Sequence, residues 1–137
     1  MNYFKFFTVL LLFVNTVNSQ EKRTIQIIQA GKSIRSSTEY PGANILQKEN
    51  DLRVILFHDG AKIESDLSYY YFNENSFKAN GQVIFNQGDS LLLTSDFLEY
   101  DGSTKKAFAY GNVNLTRPDM KLETIILYLD KTKILLF

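Results

Sequence analysis

Two aspartates, Asp66 and Asp96, come closer than any other residues of this sequence to a catalytic pattern. A pair of carboxylates can serve as acid and base in the hydrolysis of glycosidic bonds. Each aspartate, however, follows a serine, and the pairs Ser65-Asp66 and Ser95-Asp96 lie thirty residues apart. Such regular spacing indicates a structural position that recurs. We therefore expect both aspartates to lie at equivalent bends of the chain and not in a catalytic site.

The remaining residues offer little for other chemistry. The one histidine, His58, stands in a His-Asp-Gly sequence and is expected to be a turn residue and not a ligand. The absence of cysteine excludes disulfides and thiolate metal sites. No Gly-rich phosphate loop, metal-ligand cluster or nucleophile–base pair occurs. The formal net charge of zero gives no field that attracts nucleic acid. The sequence predicts a non-enzymatic protein without a metal, a cofactor or a nucleic-acid partner.

The segments that position the two aspartates form a repeat. The phrase FKANGQVIF at residues 77–85 recurs as AFAYGNVNL at residues 107–115, with small or apolar residues at every odd position. Strict alternation is typical of a strand with one buried face. A fixed period in this range is typical of units that bury their apolar faces by stacking on their neighbours. We therefore expect an all-β, solenoid-like stack of antiparallel strands with a repeat of about thirty residues, and almost no helix.

A change of side-chain parity accompanies the repeated Ser-Asp pair. Before Ser95 the apolar residues occupy odd positions, and after Asp96 they occupy even positions. A β-bulge or a corner in a strand produces such a switch, so Asp66 and Asp96 are predicted to mark bends. Gly81 and Gly111 replace side chains on the inward columns, which indicates a bend or a close approach of neighbouring backbone. Substitution of either glycine by valine is expected to destabilise the fold by about 1–3 kcal/mol.

The first part of the chain is less regular. Residues 24–30 are predicted to form a first strand that ends at Gly31, and residues 53–57 a later one. Residues 36–44 are polar and include the turn signal Pro41-Gly42, so they are expected to form a loop or a covering flap. The chain stops at residues 134–137, an apolar run inside a repeat, which predicts an unpaired edge strand or a domain truncated at its C-terminus.

Residues 1–19 have the layout of an export signal. A short cationic start is followed by an apolar run over residues 6–17 and then by Asn18-Ser19 before a polar stretch. Cleavage is predicted after Ser19, which leaves a mature β domain over residues 20–137. An uncleaved membrane anchor is the alternative. An exported chain without cysteine fits a bacterial envelope better than a eukaryotic extracellular space.

Several phrases in order carry a family resemblance: GQVIF at 81–85, QGD at 87–89, SDFLEYD at 95–101 and AYGNVNL at 109–115. Together they resemble the OstA-like (organic solvent tolerance) family. Its members include periplasmic lipopolysaccharide-transport bridge proteins and the N-terminal domain of an outer-membrane lipopolysaccharide assembly protein. The resemblance implies a twisted, half-open β-jelly-roll in the periplasm of a Gram-negative bacterium. It also implies partners: lipopolysaccharide, through its lipid A acyl chains, and other OstA-like domains that join head to tail through their edge strands.

The same resemblance implies candidate site residues. The inward apolar column would line a lipid groove, with the alternative that it fills an ordinary dry core; its members are Phe77, Val83, Phe85, Leu91, Leu93, Leu98, Tyr100, Val113 and Leu115. Five cations could meet lipid A phosphates at the rim, with the alternative that they form a solvated face: Lys78, Lys105, Lys106, Arg117 and Lys121.

The functional prediction is a non-enzymatic periplasmic protein that binds or transports lipopolysaccharide in outer-membrane assembly. The first alternative is a structural or interaction module without lipid cargo, the N-terminal part of a larger outer-membrane assembly factor. A second alternative, an adhesive or carbohydrate-binding solenoid, fits the repeat but not the family phrases.

Overall fold

The computed structural model describes residues 23–35, 38–130 and 133–136. The predicted signal peptide, with its cleavage site, lies outside these residues. Every regular element in the described ranges is a strand, and no helix there is long and apolar enough to cross a membrane. The strands are β1 (Gln26–Gln29), β2 (Lys32–Arg35), β3 (Ala43–Gln47), β4 (Val54–His58), β5 (Ala61–Ser65), β6 (Leu67–Tyr71), β7 (Ser76–Asn86), β8 (Leu92–Asp101), β9 (Lys106–Arg117), β10 (Met120–Asp130) and β11 (Lys133–Leu136).

All eleven strands belong to one antiparallel sheet, which branches at β7. The main path runs β1-β4-β5-β7-β8-β9-β10-β11. The C-terminal half of β7 pairs with β5, and its N-terminal half pairs with β6, which continues to β3 and β2. The sheet therefore has two parts. We call them the first half-sheet (β1, β4, β5 and the adjoining halves of β7–β10) and the second half-sheet (β2, β3, β6, the other halves of β7–β10, and β11).

The two half-sheets fold over one another and enclose the apolar core between them. Phe85 of the first half-sheet contacts Tyr100 of the second, with ring centroids 5.9 Å apart. The inward residues of both halves form one buried cluster. Burial of both inner faces against each other is the main stabilising term for such a sheet. The all-β, antiparallel, half-open architecture predicted from the sequence is confirmed.

Each long strand bends at a corner near its middle, and glycine makes two of these corners possible. Gly81 in β7 and Gly111 in β9 have φ angles of +82° and +78°, and the residues that follow them, Gln82 and Asn112, also have positive φ. Only glycine adopts this conformation without steric cost. The register between β7 and β8 shifts at the same place, between Asn80 and Val83. The corners are therefore β-bulges that turn each strand from one half-sheet into the other.

An aspartate of the neighbouring strand packs against each corner glycine. A Cβ atom built on Gly81 would lie 2.9 Å from Cβ of Asp66, and one built on Gly111 would lie 2.7 Å from Oδ2 of Asp96. Asn112 donates a hydrogen bond to Asp96 Oδ2 at 2.8 Å. The glycines are thus required both for their backbone conformation and for the close approach of these carboxylates.

Arg53 ties the first of these corners to the start of β4. Its Nε donates to Asp66 Oδ1 at 3.1 Å, while Nη2 donates to the carbonyl oxygens of Gly81 at 3.0 Å and Gln82 at 2.6 Å. The guanidinium satisfies the Gln82 carbonyl at the bulge and gives a second donor to the Gly81 carbonyl, which also accepts from the amide of Asp66 at 3.1 Å. One side chain therefore holds together three segments that are distant in sequence.

The parity switch occurs where the repeated Ser-Asp pairs predict it. In β8, Leu93 and Ser95 are buried before the corner, and Leu98 and Tyr100 are buried after it. The Ser95 hydroxyl donates to the carbonyl of Phe97 at 2.9 Å, so the inward serine satisfies the bent backbone.

The corner of β10 departs from this pattern. Thr124 takes the place of the serine and donates to the carbonyl of Ile126 at 3.2 Å. Ile125 stands where β8 carries its aspartate and is 75% exposed. This corner presents an apolar side chain to solvent.

The first predicted strand corresponds to β1, which ends before Gly31 as expected, and β2 follows from Lys32 and pairs with β3. One sequence expectation about this part of the chain needs correction. The polar segment expected to be a loop or a flap reaches into β3, which starts at Ala43 and pairs with β6. Both strands belong to the second half-sheet. Their polar residues are tolerated because they lie near a sheet edge.

The corner geometry predicts the effect of enlarging its glycines. Gly81→Val and Gly111→Val are each expected to lower the free energy of unfolding by about 1–3 kcal/mol, since the new side chain collides with Asp66 or Asp96. Gly88 is the matched control. It also has a positive φ, of +62°, but nothing lies within 4 Å of its Cβ position. Urea melts in which Gly88→Val costs as much as the corner substitutions would contradict the role of the aspartate contact.

Candidate functional site

A cavity of about 300 Å³ opens at the mouth of the fold, where strand ends remote from the corners face one another. Its floor is apolar and contains Phe85, Leu91 and Leu129. Its rim is polar and carries charges of both signs. The complete lining is His58, Asp59, Ala61, Phe85, Gln87, Ser90, Leu91, Tyr100, Lys105, Ala107, Arg117, Leu129 and Asp130. Ligand-binding clefts combine apolar surface with polar groups that orient the ligand, and here eight of the thirteen lining residues are polar.

The predicted groove residues divide between this cavity and the core. Phe85, Leu91 and Tyr100 line the cavity. The other six are buried between the half-sheets: Phe77, Val83, Leu93, Leu98, Val113 and Leu115. In this conformation the inward column is therefore mostly packed core, and only three of its nine residues reach the mouth cavity.

His58 lies at the edge of the cavity and flanks the hairpin turn at Asp59-Gly60 that its sequence predicts, but its contacts make it more than a turn residue. It is the last residue of β4, is only 2% exposed, and makes hydrogen bonds through both ring nitrogens. Nε2 lies 2.7 Å from the carbonyl oxygen of Arg23, and Nδ1 lies 2.8 Å from the hydroxyl of Tyr100. A carbonyl can only accept, so Nε2 carries the proton and, in the neutral ring, the Tyr100 hydroxyl donates to Nδ1.

Residues 23–25, which we call the strap, cross the mouth from one half-sheet to the other. The carbonyl of Arg23 accepts from His58 in the first half-sheet. The amide of Ile25 donates to Asn75 Oδ1 at 2.8 Å, and the carbonyl of Ile25 accepts from the hydroxyl of Tyr70 at 2.9 Å, both beside the second half-sheet. The Ile25 side chain is 2% exposed. The strap thus holds the half-sheets together at one end of the mouth.

Charges around the cavity are arranged about Asp59. Its carboxylate contacts Lys105 through one oxygen and Arg23 through the other, the latter at 2.8 Å. The hydrogen bond from Lys105, aided by the charge of Arg23, lowers the pKa of Asp59. Burial, with the charges of Asp59 and Asp101, raises the pKa of Tyr100 to about 12. Tyr100 therefore remains a neutral hydrogen-bond donor at physiological pH.

The five candidate rim cations do not form one group. Lys78 lies 3.8 Å from Glu99, and Lys106 lies 3.8 Å from Asp130. Lys105 and Arg117 line the cavity, whereas Lys121 is exposed outside it. Only these two of the five reach the candidate site directly.

Nothing in the described ranges assembles a catalytic centre around the two repeated aspartates. Asp66 is bonded to Arg53, and Asp96 to Asn112, on either side of β7. No group of three or more potential metal ligands occurs in the part of the chain that the structure describes. Both carboxylates are engaged in holding corners, as the regular spacing of the Ser-Asp pairs indicates.

Sequence reasoning did not find the strap. The sequence predicts a strand at Ile25 and an ordinary turn at Asn75. The only signal is weak: Ile25 is the first apolar residue after a run of polar ones. Their contacts span about fifty residues, which local patterns do not encode.

Comparisons with known proteins agree with the architecture. A sequence model described as OstA-like protein matches residues 22–135. The structure is similar to that of LptH from Pseudomonas aeruginosa, described as the LptA-homologous periplasmic component of a conserved lipopolysaccharide transport device. The TM-score is 0.65 at 10% sequence identity, over 80% of this chain and 77% of that one. At this identity the likeness establishes the fold. No curated protein matches the sequence significantly.

The role of the strap predicts that alanine substitutions at two nearby isoleucines change the free energy of unfolding by different amounts. Ile25→Ala is expected to lower the free energy of unfolding by about 2–4 kcal/mol, because it removes a fully buried side chain between the half-sheets. Ile28→Ala, at a position that is 58% exposed on β1, should change it by less than about 0.5 kcal/mol. Equal effects of the two substitutions in urea melts would show that residues 23–25 do not close the mouth.

Proposed function

Because the chain belongs to the OstA-like family, whose model matches nearly all of it after residue 21, we propose that it is a non-enzymatic lipopolysaccharide-binding protein. In this proposal it acts in the periplasm of a Gram-negative bacterium, in the transport of lipopolysaccharide during outer-membrane assembly. The observation that carries the proposal is the apolar-floored cavity between two half-sheets. The similarity in fold to LptH, a periplasmic component of a lipopolysaccharide transport device, supports it.

The cavity explains how an acyl chain would be held. Its volume of about 300 Å³ lies at the lower end of ligand pockets. Each CH₂ group that leaves water for the apolar floor contributes about 0.8 kcal/mol, so a short buried length gives useful affinity without a dominant residue. A longer chain would have to displace packed core residues. The half-sheets would then part at the mouth while the corners act as the hinge.

The free strand edges suggest how copies of the fold would join. At one end of the sheet lie β1 and β2, one from each half-sheet. At the other end lies β11, which pairs with β10 only over Leu127–Asp130. The described chain offers no partner for the outer side of residues 120–126 of β10. Among the described residues, each half-sheet thus presents unpaired backbone at both ends, which suits head-to-tail strand addition between OstA-like domains.

A second candidate is an interaction module of the same fold without lipid cargo. The packing of six predicted groove residues into the core favours it, since a dry core needs no ligand. Lipid extraction of the purified protein, followed by mass spectrometry, separates the two candidates. Co-purified lipid A supports transport, and its absence together with no binding of added lipid A supports the module.

Neighbouring leucines provide a matched test of the cavity. Leu91 lines the floor, whereas Leu92 is 39% exposed and does not line the cavity. Leu91→Asp is expected to weaken binding of lipid A at least tenfold, because it places a charge where acyl carbons would lie. Leu92→Asp should leave the affinity within about twofold of the wild type. Displacement of a fluorescent lipid measures both, and circular dichroism checks that the variants fold. Equal affinities of the two variants would exclude this cavity as the acyl site.

The edge strands predict open-ended association. Light scattering should give an average mass that rises continuously with concentration, because head-to-tail contacts do not close. Ile134→Pro in β11 is expected to shorten the series, since proline removes a backbone donor and disfavours pairing. A strict monomer at high micromolar concentration, or a mass that saturates at twice the monomer, would contradict the proposal.

A further inference from the structure

The series of inward-facing residues along β9 ends with an arginine at the mouth. Val113 and Leu115 point into the core, and the next residue of the same parity, Arg117, is the last residue of the strand. Arg117 lines the cavity, yet it makes no ion pair with any residue in the described ranges. A guanidinium at the rim of an apolar cleft, without an internal partner, is available to a ligand.

The charges around Arg117 leave the cavity positive. The two carboxylates of the lining, Asp59 and Asp130, both have cationic partners. Asp59 is shared by Arg23 and Lys105, and Asp130 lies 3.8 Å from Lys106. These two acids face three cations before Arg117 is counted, and Asp101, whose charge acts on Tyr100, is a third acid, so the immediate surroundings carry a net charge of about +1 at neutral pH. A cavity with an apolar floor and a positively charged rim is complementary to an anionic amphiphile.

We propose that the mouth cavity binds the anionic head of an amphiphile, with Arg117 as the direct partner of its phosphate. This inference rests on the proposed function and deepens it, because it assigns the headgroup end of the ligand to a particular residue. Arginine suits the task because its planar fork of donors matches phosphate oxygens in a bidentate manner. The apolar chain then extends inward over Phe85 and Leu91.

The proposal gives Arg117 a role in specificity. A phosphorylated lipid gains the ion pair with Arg117, whereas the same lipid without phosphate gains only contact with the floor. Charge-assisted hydrogen bonds at a partly exposed site weaken with ionic strength. Preference for the phosphorylated ligand should therefore decrease as salt is added, and binding of the dephosphorylated ligand should not.

The test compares two ligands on three proteins. The ligands are lipid A with both phosphates and the same lipid A after enzymatic removal of the phosphates. The proteins are the wild type, Arg117→Gln, and the control Lys121→Gln. Lys121 is an exposed lysine on β10, outside the cavity, which also lacks an ion pair in the described part of the chain. Wild type and Lys121→Gln are expected to bind the phosphorylated form about tenfold more tightly, and Arg117→Gln should lose this preference.

The outcomes separate this inference from the proposed function. If Arg117→Gln keeps the preference, or the wild type binds both ligands equally, the inference fails while lipid binding stands. If the wild type binds neither ligand, both proposals fail. Inorganic phosphate alone provides a further arm. Phosphate that displaces the phosphorylated lipid as effectively as unlabelled lipid A would indicate a site for free anions and would overturn the assignment to an amphiphile's head.

Discussion

The structure depends on the close contact of an aspartate with a glycine at the corners of its strands. Asp66 packs on Gly81, and Asp96 packs on Gly111, at distances that no Cβ atom permits. If these strands stayed straight, their alternating apolar residues would leave one face of a long sheet open to water. The corners fold that face onto itself, which creates the core and the mouth together. The candidate site is therefore a direct result of the bends.

The parts of the fold that are repeated in the sequence could be predicted from it. The alternation in residues 77–85 and 107–115 indicates strands, and the parity switch at Ser95-Asp96 indicates a bend, because both depend on local backbone geometry. The inward column was also identified, and most of it is core. The sequence does not reveal where the half-sheets separate, so it could not distinguish the three cavity-lining residues from the six that are packed.

Features that depend on distant partners could not be predicted. β2 and β3 have no apolar alternation, and they form strands because β6 and β7 extend the second half-sheet toward them. His58 is buried by contacts with Tyr100 and Arg23, which follow and precede it by more than thirty residues. Arg117 is one of the five candidate rim cations in the sequence, and only the folded structure shows that it lines the cavity at the mouth.

The alternation of corner types along the chain limits how such a domain can change its length. Aspartate corners (Asp66, Asp96) alternate with glycine corners (Gly81, Gly111), and each glycine accommodates the aspartate of its neighbour. Insertion of a single strand would place two corners of one type side by side and reverse the direction of every later strand. Insertion of a hairpin preserves both the alternation and the direction. Domains of this architecture are therefore free to grow or shrink in steps of one hairpin, and each step lengthens the enclosed core by two strands without redesign of its ends.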